Sequence, residues 1–205
     1  LGRECYDIIH DLLNSSNDKT IIKFLADEPK SEKSSHGIEI TPFSKHIEGS
    51  WVTIAVGEPN LRRVLRDKIS NTNLILKSAI SKHSYVSPFS EIDDGTIIGP
   101  LCSIQSNAKL ESNSLINTMS IVGHDCRVGI DSVLSSKVNL GGSVIIGNSS
   151  FIGMGALIKE NVQIGNSSII GMSSVVYRDI EDDVIAIGNP ARVAKKNVEK
   201  QVFKK

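Results

Sequence analysis

Residues 116–129 read INTMSIVGHDCRVG, and within them His124 and Asp125 stand side by side after Gly123. An imidazole takes and gives protons near neutrality, and an adjacent carboxylate can fix which ring nitrogen carries the proton. The pair therefore has the composition of a general base with an orienting acid. A corner histidine with no chemical task explains the same two residues equally well. The decision rests on what the chain places against them.

The positioning element is a repeat. From Ile80 to Val176 every sixth residue is aliphatic, 17 consecutive positions without an exception, with Ile116, Val122 and Val128 among them. Four residues after each comes a small or slim side chain, as at Ser114, Ser120, Cys126 and Ser132. A helix with 3.6 residues per turn would scatter a period of six around its whole surface. An even period keeps the faces of a strand in phase and leaves residues for a corner. Glycine follows the aliphatic residue eight times, as at Gly123, Gly141 and Gly153, which points to corners of positive φ. Three such sides close one coil, so a residue stacks on the one three repeats further along. His124 then lies over Gly142. A base beside a glycine N–H is the minimum equipment for acyl transfer, because the N–H can stabilise the oxyanion of a tetrahedral intermediate.

Composition narrows the classes. The 205 residues suffice for one large or two small domains, and 23 basic side chains cancel 23 acidic ones, so no global field favours nucleic acid or an anionic membrane. No apolar run reaches the roughly 20 residues that span a bilayer, and no signal-peptide pattern opens the chain, so a cytoplasmic location is expected. Cys5, Cys102 and Cys126 are odd in number and widely spaced, which indicates neither a disulfide framework nor a zinc knuckle. Cys126 invites a thioester intermediate, but it occupies the inward small-residue slot. His83 and His124, the two histidines of the repeat, are out of the coil register, against the three-histidine zinc site of a γ-class carbonic anhydrase. No metal is expected. The repeat also lacks the threonine ranks of an ice-binding scaffold.

The first third has a different grammar. LGRECYDIIHDLLNSS patterns as an amphipathic helix, TIIKFLAD and SWVTIAVG as buried strands, and EPNLRRVLRDKISN as a second helix. Alternating strands and helices predict a small parallel α/β unit. Its opening, Leu1-Gly2-Arg3-Glu4, begins at a helix start, as though a strand and glycine-rich phosphate loop belonged before it. After Gly188, Asn189 and Pro190 pattern as the start of a helix running through ARVAKKNVEKQVFKK.

The repeat resembles the hexapeptide-repeat, left-handed parallel β-helix, and the left hand comes from that resemblance alone. With LGREC, FLADE, AVGEPNLR, NTMSIVGHDC, NLGGSVIIG and GNPARV, the whole chain is similar to the sialic acid O-acetyltransferase and UDP-sugar N-acetyltransferase family of bacterial surface-glycan pathways. The resemblance implies three parts: residues 1–76, a Rossmann-like nucleotide-sugar-binding domain; residues 77–188, the β-helix; and residues 189–205, a helix and tail. It shifts the weight at His124 to catalysis, by direct attack of the acceptor on acetyl-CoA, with Asp125 in support. Gly142, Gly153, Met154, Gly171, Met172, Pro190 and Arg192 are the expected acetyl-CoA contacts. Gly2, Asp27, Gly57, Glu58 and Asn117 are the expected acceptor contacts. Ala26 stands where the family tends to carry an acid, which departs from its uracil-binding pattern. The family implies a homotrimer with sites between subunits. An amino group on a nucleotide-linked sugar is the expected acceptor; a sialic acid or other sugar hydroxyl is the alternative.

Overall fold

The computed structural model describes residues 2–16, 21–26, 34–35 and 37–203. Seventeen two-residue strands run from Ala79–Ile80 to Val175–Val176. Strands on successive coils pair in parallel, as in Ile121 with Asn139 and Lys109 with Arg127. The result is a three-sided parallel β-solenoid. The second residue of each strand turns inward, and Ile98, Ile104, Leu110, Ile116, Val122 and Val128 are all fully buried. Burying each such side chain contributes about 1.5–3 kcal/mol. The slim residues Ala108, Ser114, Ser120 and Cys126 fill the narrow corners of the same interior.

The glycines after the aliphatic residues have a cause other than the expected one. Positive φ falls two residues later, at positions such as Leu101, Asn107, Asn113, Met119, Asp125 and Asp131. The glycines are required by coil-to-coil approach instead. A Cβ on Gly123 would lie 2.7 Å from the Gly141 carbonyl oxygen, and one on Gly153 would lie 2.7 Å from backbone atoms of residues 170–172.

The three sides differ in what they show outward. On one, Ala79, Ile97, Leu115, Val133 and Phe151 form an apolar column covered by Cys5 and Ile8 of helix α1 (Gly2–Ser16). The second carries Tyr85, Ile121 and Leu157, which remain exposed. The third carries Glu91, Lys109 and Arg127, charged or paired side chains.

The rest of the N-terminal part is small. Phe24–Ala26 pairs in parallel with Ile38–Pro42, whose start also pairs antiparallel with Ser34–Ser35. Trp51–Val52 pairs separately with Ile75–Leu76. The two anticipated strands are therefore much shorter than their apolar runs, and they belong to different sheets.

Helix α2 (Pro59–Ser70) carries a polar tie to the solenoid. Arg62 is fully buried and donates to the carbonyls of Ile54 (2.6 Å), Val56 (2.8 Å) and Asn113 (2.8 Å), and to Asn113 Oδ1 (2.8 Å). Asn113 in turn donates to Asp131 Oδ1 (2.7 Å), and Arg66 grips the same carboxylate. The left-handed corners at Asn113 and Asp131, on successive coils, thus supply the acceptors for one helix face.

The C-terminal segment corrects the expected helix. Val184–Gly188 and Ala191–Lys196 form an antiparallel hairpin across a cis Asn189–Pro190 bond. The first arm adds to the covered side of the solenoid, pairing Ile169 with Ile185. An open end of stacked strands leaves N–H and C=O groups unpaired, and a strand satisfies them where a helix cannot. The alternation of buried Val184 and Ala186 with the more exposed Ile185 and Ile187 is the strand signal that the helix-capping pattern obscured. Beyond the hairpin, the N–H groups of Val202 and Phe203 donate to the Glu58 carboxylate, while Phe203 meets Phe151 edge-on. Among the described residues no helix is long and apolar enough to cross a membrane.

Candidate active site

His124 projects from the corner between strands Ile121–Val122 and Arg127–Val128, with 63% of its side chain exposed. The next residue, Asp125, has φ 57°, a left-handed conformation that aspartate tolerates better than most residues. That twist swings its carboxylate back, and Asp125 Oδ2 lies 2.7 Å from His124 Nδ1. The hydrogen bond with His124, and then one from Asn107 Nδ2 to Asp125 Oδ1 (3.0 Å), hold the Asp125 carboxyl below its ordinary pKa. An ionised carboxylate can only accept, so Nδ1 carries the imidazole proton and Nε2 is left as the basic nitrogen.

Nε2 faces Gly142. A Cβ built on that glycine would lie 2.5 Å from His124 Nε2 and 2.6 Å from Cε1. Only glycine leaves room for the ring, so the reason for this residue is steric. The Gly142 carbonyl accepts from Asn161 N–H, while its own N–H has no partner among the described residues. An imidazole with a fixed tautomer thus lies against a glycine whose backbone N–H is unpaired among the described residues.

Cys126 does not join them. It is buried, its Sγ donates to the Gly141 carbonyl at 3.0 Å, and burial raises its thiol pKa above the ordinary value. A buried, protonated thiol is a poor nucleophile. Cys126→Ala should therefore keep thiol release within about threefold of the unmodified protein, an effect of packing alone, and intact-mass measurement after mixing with acetyl-CoA should find no acetylated enzyme.

The other anticipated residues are distributed. Met154 and Met172 stack on the neighbouring corner and are exposed. Gly153 beneath them is buried, and Gly171 faces the Ile187 side chain. Asn117 lies on the same corner column, its Oδ1 accepting from Thr118 N–H (2.7 Å). The outward side bearing Ile121, Asn139 and Leu157 separates this corner from His124. Pro190 and Arg192 are exposed on the final hairpin. Gly2 opens α1 near Phe24, and Gly57 and Glu58 precede α2, with Glu58 engaged by the C-terminal segment. Asp27 lies outside the described residues. Sequence reasoning missed Asn107, although it stands one full coil before Asp125 and the repeat register alone predicts their contact.

A surface cleft of about 560 Å³ opens on the charged side, between Arg127, Gln163 and the acidic residues Asp179, Glu181 and Asp182. It does not reach His124. Small-molecule sites are usually concave, whereas His124 projects from an exposed corner.

Residues 143–178 match the family described as bacterial transferase hexapeptide (six repeats). A variant of perosamine N-acetyltransferase from Caulobacter crescentus, in complex with CoA and GDP-perosamine, superposes with a TM-score of 0.82 at 26% identity, over 94% of this chain and 93% of that one. The acetyltransferase domain of PglB from Neisseria gonorrhoeae, in complex with acetyl coenzyme A, gives 0.84 at 25% identity over 92% and 94%. WeeI from Acinetobacter baumannii, at 23% identity and a TM-score of 0.81 over 92% and 93%, shares the fold. No curated protein matches the sequence significantly. The chain thus carries the transferase hexapeptide inside its solenoid and shares the left-handed β-helix fold, over nearly its full length, with solved sugar N-acetyltransferases.

Proposed function

We propose that this protein transfers the acetyl group of acetyl-CoA to the amino group of a nucleotide-linked sugar. The observation that carries the reading is His124 Nε2 packed against Gly142, with Asp125 on Nδ1. The acceptor amine attacks the thioester carbonyl, forming the C–N bond, while His124 Nε2 takes the amine proton. The Gly142 N–H donates to the resulting oxyanion. Collapse breaks the C–S bond, and the proton held by His124 passes to the departing thiolate. No acyl-enzyme is needed.

The co-substrate follows from the solved relatives that bind CoA or acetyl-CoA. Met154 and Met172 offer its pantetheine arm a soft apolar column, with Gly153 and Gly171 letting the coils beneath approach closely. Arg192, exposed beside Pro190 on the final hairpin, is assigned to a CoA phosphate. The nucleotide-sugar is assigned to the N-terminal α/β part, with its Rossmann-like reading, through Gly2, Asp27, Gly57 and Glu58, and Asn117 contacts the sugar. The relative solved with GDP-perosamine supports that acceptor class.

The His124 and Met154 corners flank one side of a single chain, and that side exposes Tyr85, Ile121 and Leu157. A threefold assembly would cover it and bring the Met154 corner of one subunit to the His124 corner of the next. Sedimentation equilibrium should return three chains per particle; a monomer active at the same concentration would remove this part of the proposal.

The acceptor class is tested by thiol release from acetyl-CoA against UDP-, dTDP- and GDP-linked amino sugars and free sialic acid. Turnover with an amino sugar is expected, and turnover with sialic acid alone would replace the N-acetyl reading by O-acetylation. Gly142→Ala sharpens the site itself. The added methyl displaces only the mobile end of the imidazole, so folding should be retained, whereas misplacing a base by about 1 Å costs roughly 10²-fold. An unchanged kcat in that variant would count against His124 acting over Gly142.

A further inference from the structure

The residue beneath the acid carries the next step. Asn107 and Asp125 occupy the same left-handed corner position on successive coils, with φ 60° and 57°, and they are held in register by the hydrogen bond from Asp125 N–H to Ser106 O (3.0 Å). The amide of Asn107 points along the stack, its Nδ2 donating to Asp125 Oδ1 at 3.0 Å. The other oxygen, Oδ2, meets His124 Nδ1 at 2.7 Å. The three side chains form one line, amide to carboxylate to imidazole, which ends at Gly142.

We propose that Asn107 is a positioning residue: it locks the rotamer of Asp125 so that the carboxylate holds His124 in the tautomer and orientation that aim Nε2 over Gly142. The inference rests on His124 being the general base. Asp125 needs such a lock because its side chain is about half exposed, and a free carboxylate beside an exposed ring samples several rotamers. With one oxygen held from below by Asn107, the other is presented to the ring.

Other charged side chains near this corner are paired with one another. On its own corner His124 faces Asp125. From the corner stacked above Gly142 come Lys159 and Glu160, which lie 3.9 Å from each other and so offset in sign. Arg127 on the following strand is paired with Glu111. The contact that holds the His124–Asp125 pair from the coil below is the one from Asn107.

Two variants read it with opposite signs, and both introduced residues tolerate the left-handed conformation of this corner. Asn107→Gly removes the amide. A loosened carboxylate stabilises the imidazolium less, so the acidic limb of the kcat–pH profile should move to lower pH. The plateau kcat should fall about 2- to 10-fold, the scale of one hydrogen bond, with both KM values unchanged. Asn107→Asp adds a negative charge to the line and should move the acidic limb to higher pH. A role in stability alone would shift the melting temperature of both variants and leave both limbs in place, which would overturn the proposal. Wild-type kcat and coincident limbs in both variants would overturn it as well. His124→Ala is the control: if it retains full activity, the general-base reading falls and this inference with it. If it is inactive while both Asn107 variants behave as wild type, only this inference falls.

Discussion

Replacing His124 by alanine is expected to lower kcat for thiol release from acetyl-CoA by about 10²- to 10⁴-fold, the usual contribution of a positioned general base. The acetyl-CoA KM should change little, because in the proposed mechanism the imidazole meets the acceptor nitrogen rather than the co-substrate's arm. Folding should be untouched: the side chain is 63% exposed on a corner, and its hydrogen bond goes to the about half-exposed Asp125. The melting curve of the variant is therefore the internal check. A loss smaller than about tenfold with an intact melting curve would remove His124 from the chemistry, since solvent or another group would then be taking the proton.

The second large effect is on stability and falls at Arg62. Arg62→Met keeps much of the side-chain volume but leaves the carbonyls of Ile54, Val56 and Asn113 and the Asn113 Oδ1 without the donor that the fully buried Arg62 supplies. Burial pushes the guanidinium pKa down to about 10, still far enough above neutrality that the group is charged in the fold. Removing one member of such a buried charged network typically costs about 3–5 kcal/mol, a large share of the about 5–15 kcal/mol that holds a domain folded. Because the solenoid's own ladder does not depend on Arg62, the loss should appear as early detachment of α2. In urea, limited proteolysis should cut within residues 43–76 while residues 79–176 stay protected. Arg62→Lys supplies a single point charge in place of the planar fork and should rescue only part of the loss. A fully cooperative transition at the wild-type midpoint in Arg62→Met would contradict this account of how the two parts are joined.

Legibility in the sequence followed physical scale. The solenoid is readable because each of its 17 strands repeats one requirement, an inward aliphatic residue and a slim partner. The stacking of His124 on Gly142 follows from the same arithmetic, and so would Asn107 beneath Asp125 and Asn113 beneath Asp131, once polar corner residues are read in the coil register. The cause of the glycines is not readable: a need for positive φ and a need for close approach select the same residue, and only the neighbouring coil at Gly123 and Gly153 tells them apart. The final hairpin escapes the sequence pattern because Asn189 and Pro190 suit a turn between strands as well as a helix start. The tie through Arg62 joins positions 51 residues apart in sequence, beyond any local pattern. Glu58, expected at the acceptor, is met in the chain by the N–H groups of Val202 and Phe203, a contact hidden by its long separation in sequence.

The central claim, acetyl transfer from acetyl-CoA to a sugar amine, is tested most directly by product stoichiometry. The purified protein is mixed with acetyl-CoA carrying a labelled acetyl group and a nucleotide-linked amino sugar, and free thiol and labelled sugar are measured together. The account predicts one amide-linked acetyl group per thiol released, at a rate that collapses in His124→Ala. Thiol release without labelled sugar, or the label found as an ester on a hydroxyl, would contradict it.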